Sequence, residues 1–149
     1  MVKAIPDGYN GVIPYLLVRG AADAIEFYKT AFGAEEIVRW PMDGRIVHAD
    51  LKFGDTHLML ADENPQMGYV GPQTLGGTSC GFALHVANVD EVFARAIGLG
   101  ATEQRAVVNQ FYGDRSGTLL DPWGHKWTIS THVEDVSGEE MERRAKQQS

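Results

Sequence analysis

Residues 111–131 read FYGDRSGTLLDPWGHKWTIST, and the punctuation of this stretch decides the fold. Two β-prone runs, Thr118-Leu119-Leu120 and residues 126–131, flank Asp121-Pro122-Trp123-Gly124, where Pro sets a turn and Gly permits the positive φ it needs. The segment is a hairpin ending in a strand. A weaker copy stands earlier in the chain, where Phe53-Gly54-Asp55 separates residues 46–53 from 56–61. Thr56, Leu58, Met59 and Leu60 then lie over His125, Trp127, Thr128 and Ile129. The chain reads as a duplication.

The helices agree. Ala24, Phe27, Tyr28, Ala31 and Phe32 fall at helical spacing, with Asp23 in the first turn and Gly33 placed for a left-handed cap. In the second half, Asn88 and Glu91 form a capping box, Val89, Val92, Phe93, Ala96 and Ile97 form an apolar face, and Gly100 stops the helix. Asp23, Ile25, Gly33 and Ala34 match Asp90, Val92, Gly100 and Ala101 at one constant offset. Residues 12–18, 35–40, 46–53 and 56–61 read as the strands of the first half, with Met42-Asp43-Gly44 as a turn. Residues 82–86, 102–108 and the two runs of the hairpin read as those of the second.

The expected class is therefore α+β, built from two βαβββ modules. Residues 1–62 hold the first, behind a polar N-terminal arm, and 79–132 hold the second. Residues 63–78, with two Pro and four Gly and no periodicity, read as a connecting loop. In the tail, 133–149, Ser137 followed by Glu140 predicts a short final helix.

At 149 residues the chain can bury roughly 68–70% of its unfolded surface, so its core needs no covalent staple. Cys80 is the only cysteine, which excludes an intrachain disulfide and suits a reducing compartment. No basic start precedes an apolar core, and no apolar run approaches the ~18 residues of a membrane span. A cytoplasmic protein with no membrane partner is expected. The net charge of −7, with basic residues scattered, argues against nucleic acid.

Four stretches together carry a resemblance: IPYLLVRGAADAIEFYKTAFGAEE, HADLKFGDTHLMLADE, YGDRSGTLLDPWGHKW and THVEDVSGEEMERR. With the paired modules, they resemble the vicinal oxygen chelate superfamily, also called the glyoxalase/bleomycin resistance/dioxygenase family, and its PhnB-like branch in particular. The resemblance implies sheets curled into half-barrels, a homodimer, and a cavity that takes a small-molecule ligand. In metal-using relatives, the first and last strand of each module each give a His, Glu or Gln to a divalent ion. Those positions fall here on Ile13, Met59, Gly81 and Thr128, none of them a good ligand. No cofactor is expected on this reading. The alternative is a divalent-metal-dependent lyase, isomerase or dioxygenase with displaced ligands, drawn from His48, His57 and His85.

The candidate ligand-binding residues are His48, Asp50, His57, Met59, His85, Tyr112 and Arg115; no catalytic residue is assigned. Ile46, His48, Asp50 and Lys52 alternate onto one strand face, away from Val47, Ala49, Leu51 and Phe53. His57 shares a face with Met59, and His85 with Gly81; by the family geometry both faces look into the cavity. The other reading of the histidines is a hydrogen-bonded polar wall. His48 with Asp50 would also serve as a base pair. Arg115, in the loop with Tyr112 and Asp114, could clamp a carboxylate or phosphate, or else pair locally with Asp114 or Asp121. His125 reads as closing the hairpin, Trp123 and Trp127 as core, and Cys80 as a small buried residue.

Overall fold

The computed structural model describes residues 1–148. The chain divides into two compact units, Met1–Thr78 and Ser79–Ser149. The first runs β1 (Tyr15–Val18), α1 (Ala21–Phe32), β2 (Glu35–Met42), β3 (Arg45–Phe53) and β4 (Thr56–Asp62), then a 3-10 turn (Pro65–Met67) and a short α2 (Pro72–Leu75). The second runs β5 (Gly81–His85), α3 (Val89–Gly98), β6 (Thr102–Asn109), β7 (Asp114–Leu120), β8 (Lys126–His132) and α4 (Gly138–Gln147). Each unit holds one open four-stranded mixed sheet, ordered β1-β4-β3-β2 or β5-β8-β7-β6. The first strand of each runs parallel to the last, and the other neighbours are antiparallel. The fold is thus the expected α+β pair of βαβββ modules.

One face of each sheet carries its helix. Ala24, Ile25, Phe27, Tyr28 and Ala31 of α1 are buried, as are Leu51 and Leu60 of the sheet beneath. The larger of these side chains, Ile25, Phe27, Leu51 and Leu60, contribute about 1.5–3 kcal/mol each when fully buried. Gly33 ends α1 at φ 72, and its N–H bonds back to Lys29 O and Tyr28 O. Asn88 caps α3 by accepting from the Glu91 N–H, and Ser137 caps α4 by accepting from the Glu140 N–H.

The start of α1 is held differently. Gly20 at its N-cap has no side chain to accept from the first turn, and the amides of Gly20 and Ala21 have no acceptor within the helix. Asp62, at the end of β4, supplies one: Oδ1 accepts from Gly20 N at 2.9 Å and Ala21 N at 2.8 Å, and Oδ2 accepts from Ile46 N at 2.7 Å. Thr131, near the end of β8, does the corresponding work for α3. Its hydroxyl accepts from Val89 N and donates to Val86 O, both at 2.8 Å.

The structure corrects several local expectations. β1 starts at Tyr15, because Pro14 has no N–H for the ladder, although its carbonyl still accepts from Met59 N. The connecting segment is ordered: Pro65 and Pro72 open its two turns, and Gly68 and Gly76 close them at positive φ. Asp114 and Arg115 lie within β7, because the β7–β8 ladder runs out to Asp114 opposite His132. Cys80 is exposed, one residue before β5 begins.

Strand β3 does not alternate cleanly. Trp40 pairs with His48 but Pro41 with Ile46, so Val47 is an extra residue, a bulge. Ile46 therefore turns into the core, while Arg45 and Val47 line the opposite face.

Candidate functional site

The helix-free face of the first sheet is where chemistry gathers. Tyr15 and Leu17 of β1, Arg45 and Val47 of β3 and Ala61 of β4 floor a cavity of about 670 Å³, walled by Met67 and Tyr69 of the connecting segment. That segment is fastened by Glu63, whose Oε1 accepts from Gly71 N at 2.6 Å and whose Oε2 accepts from Thr74 and Arg19. Burial pushes the Glu63 carboxyl up, but the Thr74, Gly71 and Arg19 hydrogen bonds outweigh it and hold it below the usual range. Gly71 packs so closely on β1 that a Cβ there would stand 2.2 Å from the Leu17 carbonyl oxygen.

His48 points to this side. Its Nδ1 lies 2.9 Å from the Tyr15 hydroxyl, and its ring is 5.1 Å from the exposed indole of Trp40. Burial, then repulsion from Tyr69, raises the Tyr15 pKa, so the phenol keeps its proton. Asp50, expected as the partner of His48, is instead bound by His57 and by Tyr9 of the N-terminal arm. Oδ1 lies 2.8 Å from His57 Nδ1, and Oδ2 accepts from the Tyr9 hydroxyl at 2.5 Å. The Tyr9 ring stacks on His57 at 4.2 Å. Asp50 and His57 are both buried, 3% and 7% exposed. Met59 stands opposite Asp50 in the ladder and is half-buried.

In the second unit, the remaining candidates have local partners. Arg115 spends Nε and one terminal nitrogen on Asp90 in the first turn of α3, each at 2.8 Å, and its other terminal nitrogen reaches Asn109. Neither Asp114 nor Asp121 is its partner. Asp114 instead receives His132 Nδ1 at 2.8 Å and His85 Nε2 at 3.3 Å, and His132 Nε2 continues to Asp135 at 2.7 Å. Hydrogen bonds to Asp135 and then to Asp114 raise the His132 pKa, while those Asp114 accepts from His132 and His85 outweigh burial and lower its own. Tyr112 is exposed and meets Phe111 edge-on. His125, Trp123 and Trp127 are buried around Asp121, which accepts from His125 N, Trp123 N and Trp127 Nε1.

The family's metal positions offer an isoleucine, a thioether, a glycine and a hydroxyl at Ile13, Met59, Gly81 and Thr128. That donor set does not fit a hard or borderline divalent ion. His48 and His57 take separate partners within the first unit. Among the described residues, no three His, Cys, Asp or Glu side chains form a group that could hold a metal ion. No described helix is long and apolar enough to cross a membrane.

Sequence reasoning missed the residues that line the cavity, Tyr15, Arg45, Met67 and Tyr69 among them, and it missed Tyr9. An aromatic in a Gly-rich arm has no periodicity to reveal it, and its partners lie over forty positions away.

Comparison with known proteins agrees with this architecture. Residues 12–129 match the family model described as the glyoxalase/bleomycin resistance protein/dioxygenase superfamily. Uncharacterized protein Mb0911c of Mycobacterium bovis is 41% identical over 133 residues, covering 87% of this chain and 88% of that protein. The crystal structure of TioX from Micromonospora sp. ML1 superposes with a TM-score of 0.64 at 26% identity, covering 83% of this chain and 99% of TioX. The PhnB protein of Bacillus cereus shares the fold, with a TM-score of 0.66 at 17% identity over 82% of this chain and 99% of its own.

Proposed function

The chain belongs to the glyoxalase/bleomycin resistance protein/dioxygenase superfamily, and from that premise we propose that it binds a small, flat, anionic molecule in the cavity of its first unit, without the superfamily's usual metal. The observation that carries this reading is the cavity between the sheet and the connecting segment. Its volume falls within the ~300–1,000 Å³ of small-molecule sites, and it is faced by the rings of Tyr15 and Tyr69. Those rings offer stacking surfaces, Leu17, Val47 and Met67 fill the gaps, and Arg45, one terminal nitrogen of which already donates to Glu63 O, offers the rest of its guanidinium to an anionic edge. The Tyr15–His48 pair adds polar atoms that fix orientation. The metal-free part rests on the poor donor set at Ile13, Met59, Gly81 and Thr128.

The same reading makes the protein a homodimer. Trp40 and Met42 are 59% and 61% exposed on the first sheet, and an isologous contact would cover them.

Calorimetry against a panel of aromatic carboxylates and phosphonates is the test. Binding that is lost in Arg45→Ala and Tyr69→Ala is expected; no binding across the panel, or binding indifferent to both substitutions, overturns the assignment. Elemental analysis of protein purified without a metal column checks the rest. Stoichiometric metal would turn the search to lyase, isomerase and dioxygenase substrates. A 16.4 kDa species in sedimentation at micromolar concentration would remove the dimer.

A further inference from the structure

The Tyr9–Asp50–His57 system opens onto a different cavity. Gly8, Asn10, Val12 and Ile13 of the arm, with Lys52, Thr56 and His57 of the hairpin, enclose about 420 Å³. With Nδ1 directed at Asp50, a neutral His57 carries its proton there and presents a lone pair at Nε2. Among the described residues nothing bonds to Nε2, and His57 lines the cavity. The arm leaves it open because residue 8 is glycine, where a Cβ would stand 3.1 Å from it. Lys52 lines the same cavity and makes no ion pair among the described residues. Asp55, exposed, stands at the rim.

An oriented acceptor nitrogen and an unpaired ammonium are complementary to one chemical class. We propose that this cavity is a second small-molecule site that takes a hydroxy acid, whose hydroxyl donates to His57 Nε2 and whose carboxylate meets Lys52. Tyr9 is a positioning residue. It holds Asp50 and stacks on the imidazole, so a ligand meets a fixed ring at no further ordering cost.

The test is nitrogen-15 and proton NMR of the whole chain with glycolate as probe and acetate as control. The free protein is expected to show His57 as the Nδ1–H tautomer. Millimolar glycolate should shift the His57 ring and Lys52 resonances saturably, with acetate much weaker, and Lys52→Ala should weaken glycolate roughly fivefold. An Nε2–H tautomer, no shift at His57, or equal shifts with acetate would overturn the proposal. Arg45→Ala should leave the titration unchanged, so this site and the one floored by Tyr15 stand or fall separately.

Discussion

In the first module Asp50 of β3 stands opposite Met59 of β4; at the matching place in the second, Thr118 of β7 stands opposite Thr128 of β8. Asp50 is buried and needs two donors, His57 and Tyr9. Thr118 and Thr128 bond each other at 3.2 Å and ask nothing of a distant segment. His48 likewise has Ser116 as its counterpart, and His57 has Lys126. The helix ends, by contrast, were kept: glycine follows each helix, at Gly33 and Gly100, and a strand residue caps each start. The two modules share the groups that hold helix to sheet and differ on the opposite face, where the first sets Asp50 between His57 and Tyr9 and the second sets Asp114 between His132 and His85.

The comparison breaks most sharply at the caps. Asp62→Ala leaves three amides without an acceptor and should cost about 3 kcal/mol in urea unfolding, whereas Thr131→Ala, which strips one, should cost about 1 kcal/mol. Equal losses would mean that the two caps are not counterparts. Next comes the core position where Ala49 faces Leu60 and Gly117 faces Ile129. A Cβ on Gly117 would lie 2.8 Å from Val107 Cγ2 and 2.9 Å from Phe93 Cε2, so Gly117→Ala should destabilise by about 2 kcal/mol through overpacking. Ala49→Gly should cost less, about 1 kcal/mol.

Smaller effects sharpen the contrast between the faces. Tyr9→Phe should lower the urea midpoint measurably and Thr118→Val less so, because only the first leaves a buried carboxylate short of a donor. Smallest is the pH dependence near neutrality that His132 gives the second module. Asp135 and Asp114 raise the His132 pKa, so the stabilisation is complete below the unfolded value of 6.5 and is lost as pH climbs through the higher folded value. Asp114 acts with the opposite sign. Its lowered pKa stabilises above 3.8, and this is lost as pH falls through the lower folded value. His132→Gln should flatten the neutral-pH slope seen by thermal melting; an unchanged slope would assign it elsewhere.

Much of the scaffold was legible because it is local. The capping box at Asn88, the cap at Gly33 and the Asp121 turn each sit within a few residues of what they control. What escaped the sequence depends on distant neighbours. Arg115 looked available because Asp90, its partner, is 25 positions away, and Asp62 gave no sign of capping a helix that begins 41 residues earlier. The bulge at Val47 reversed the faces expected for Ile46 and Val47, since strict alternation holds only while the ladder stays in register. His48 and Asp50 did share a face, and yet proximity did not pair them. The arm, whose Tyr9 took one oxygen of Asp50, offered no pattern to read.

The two caps also bear on what a single module must contain to be complete. Ala21 and Asp62 are 41 residues apart, and Val89 and Thr131 are 42 apart. Neither helix start has all its acceptors until the fourth strand of its own module is in place, so each cap closes a loop of about forty residues. A module that includes its fourth strand carries both partners of its helix cap, and one cut short of that strand does not.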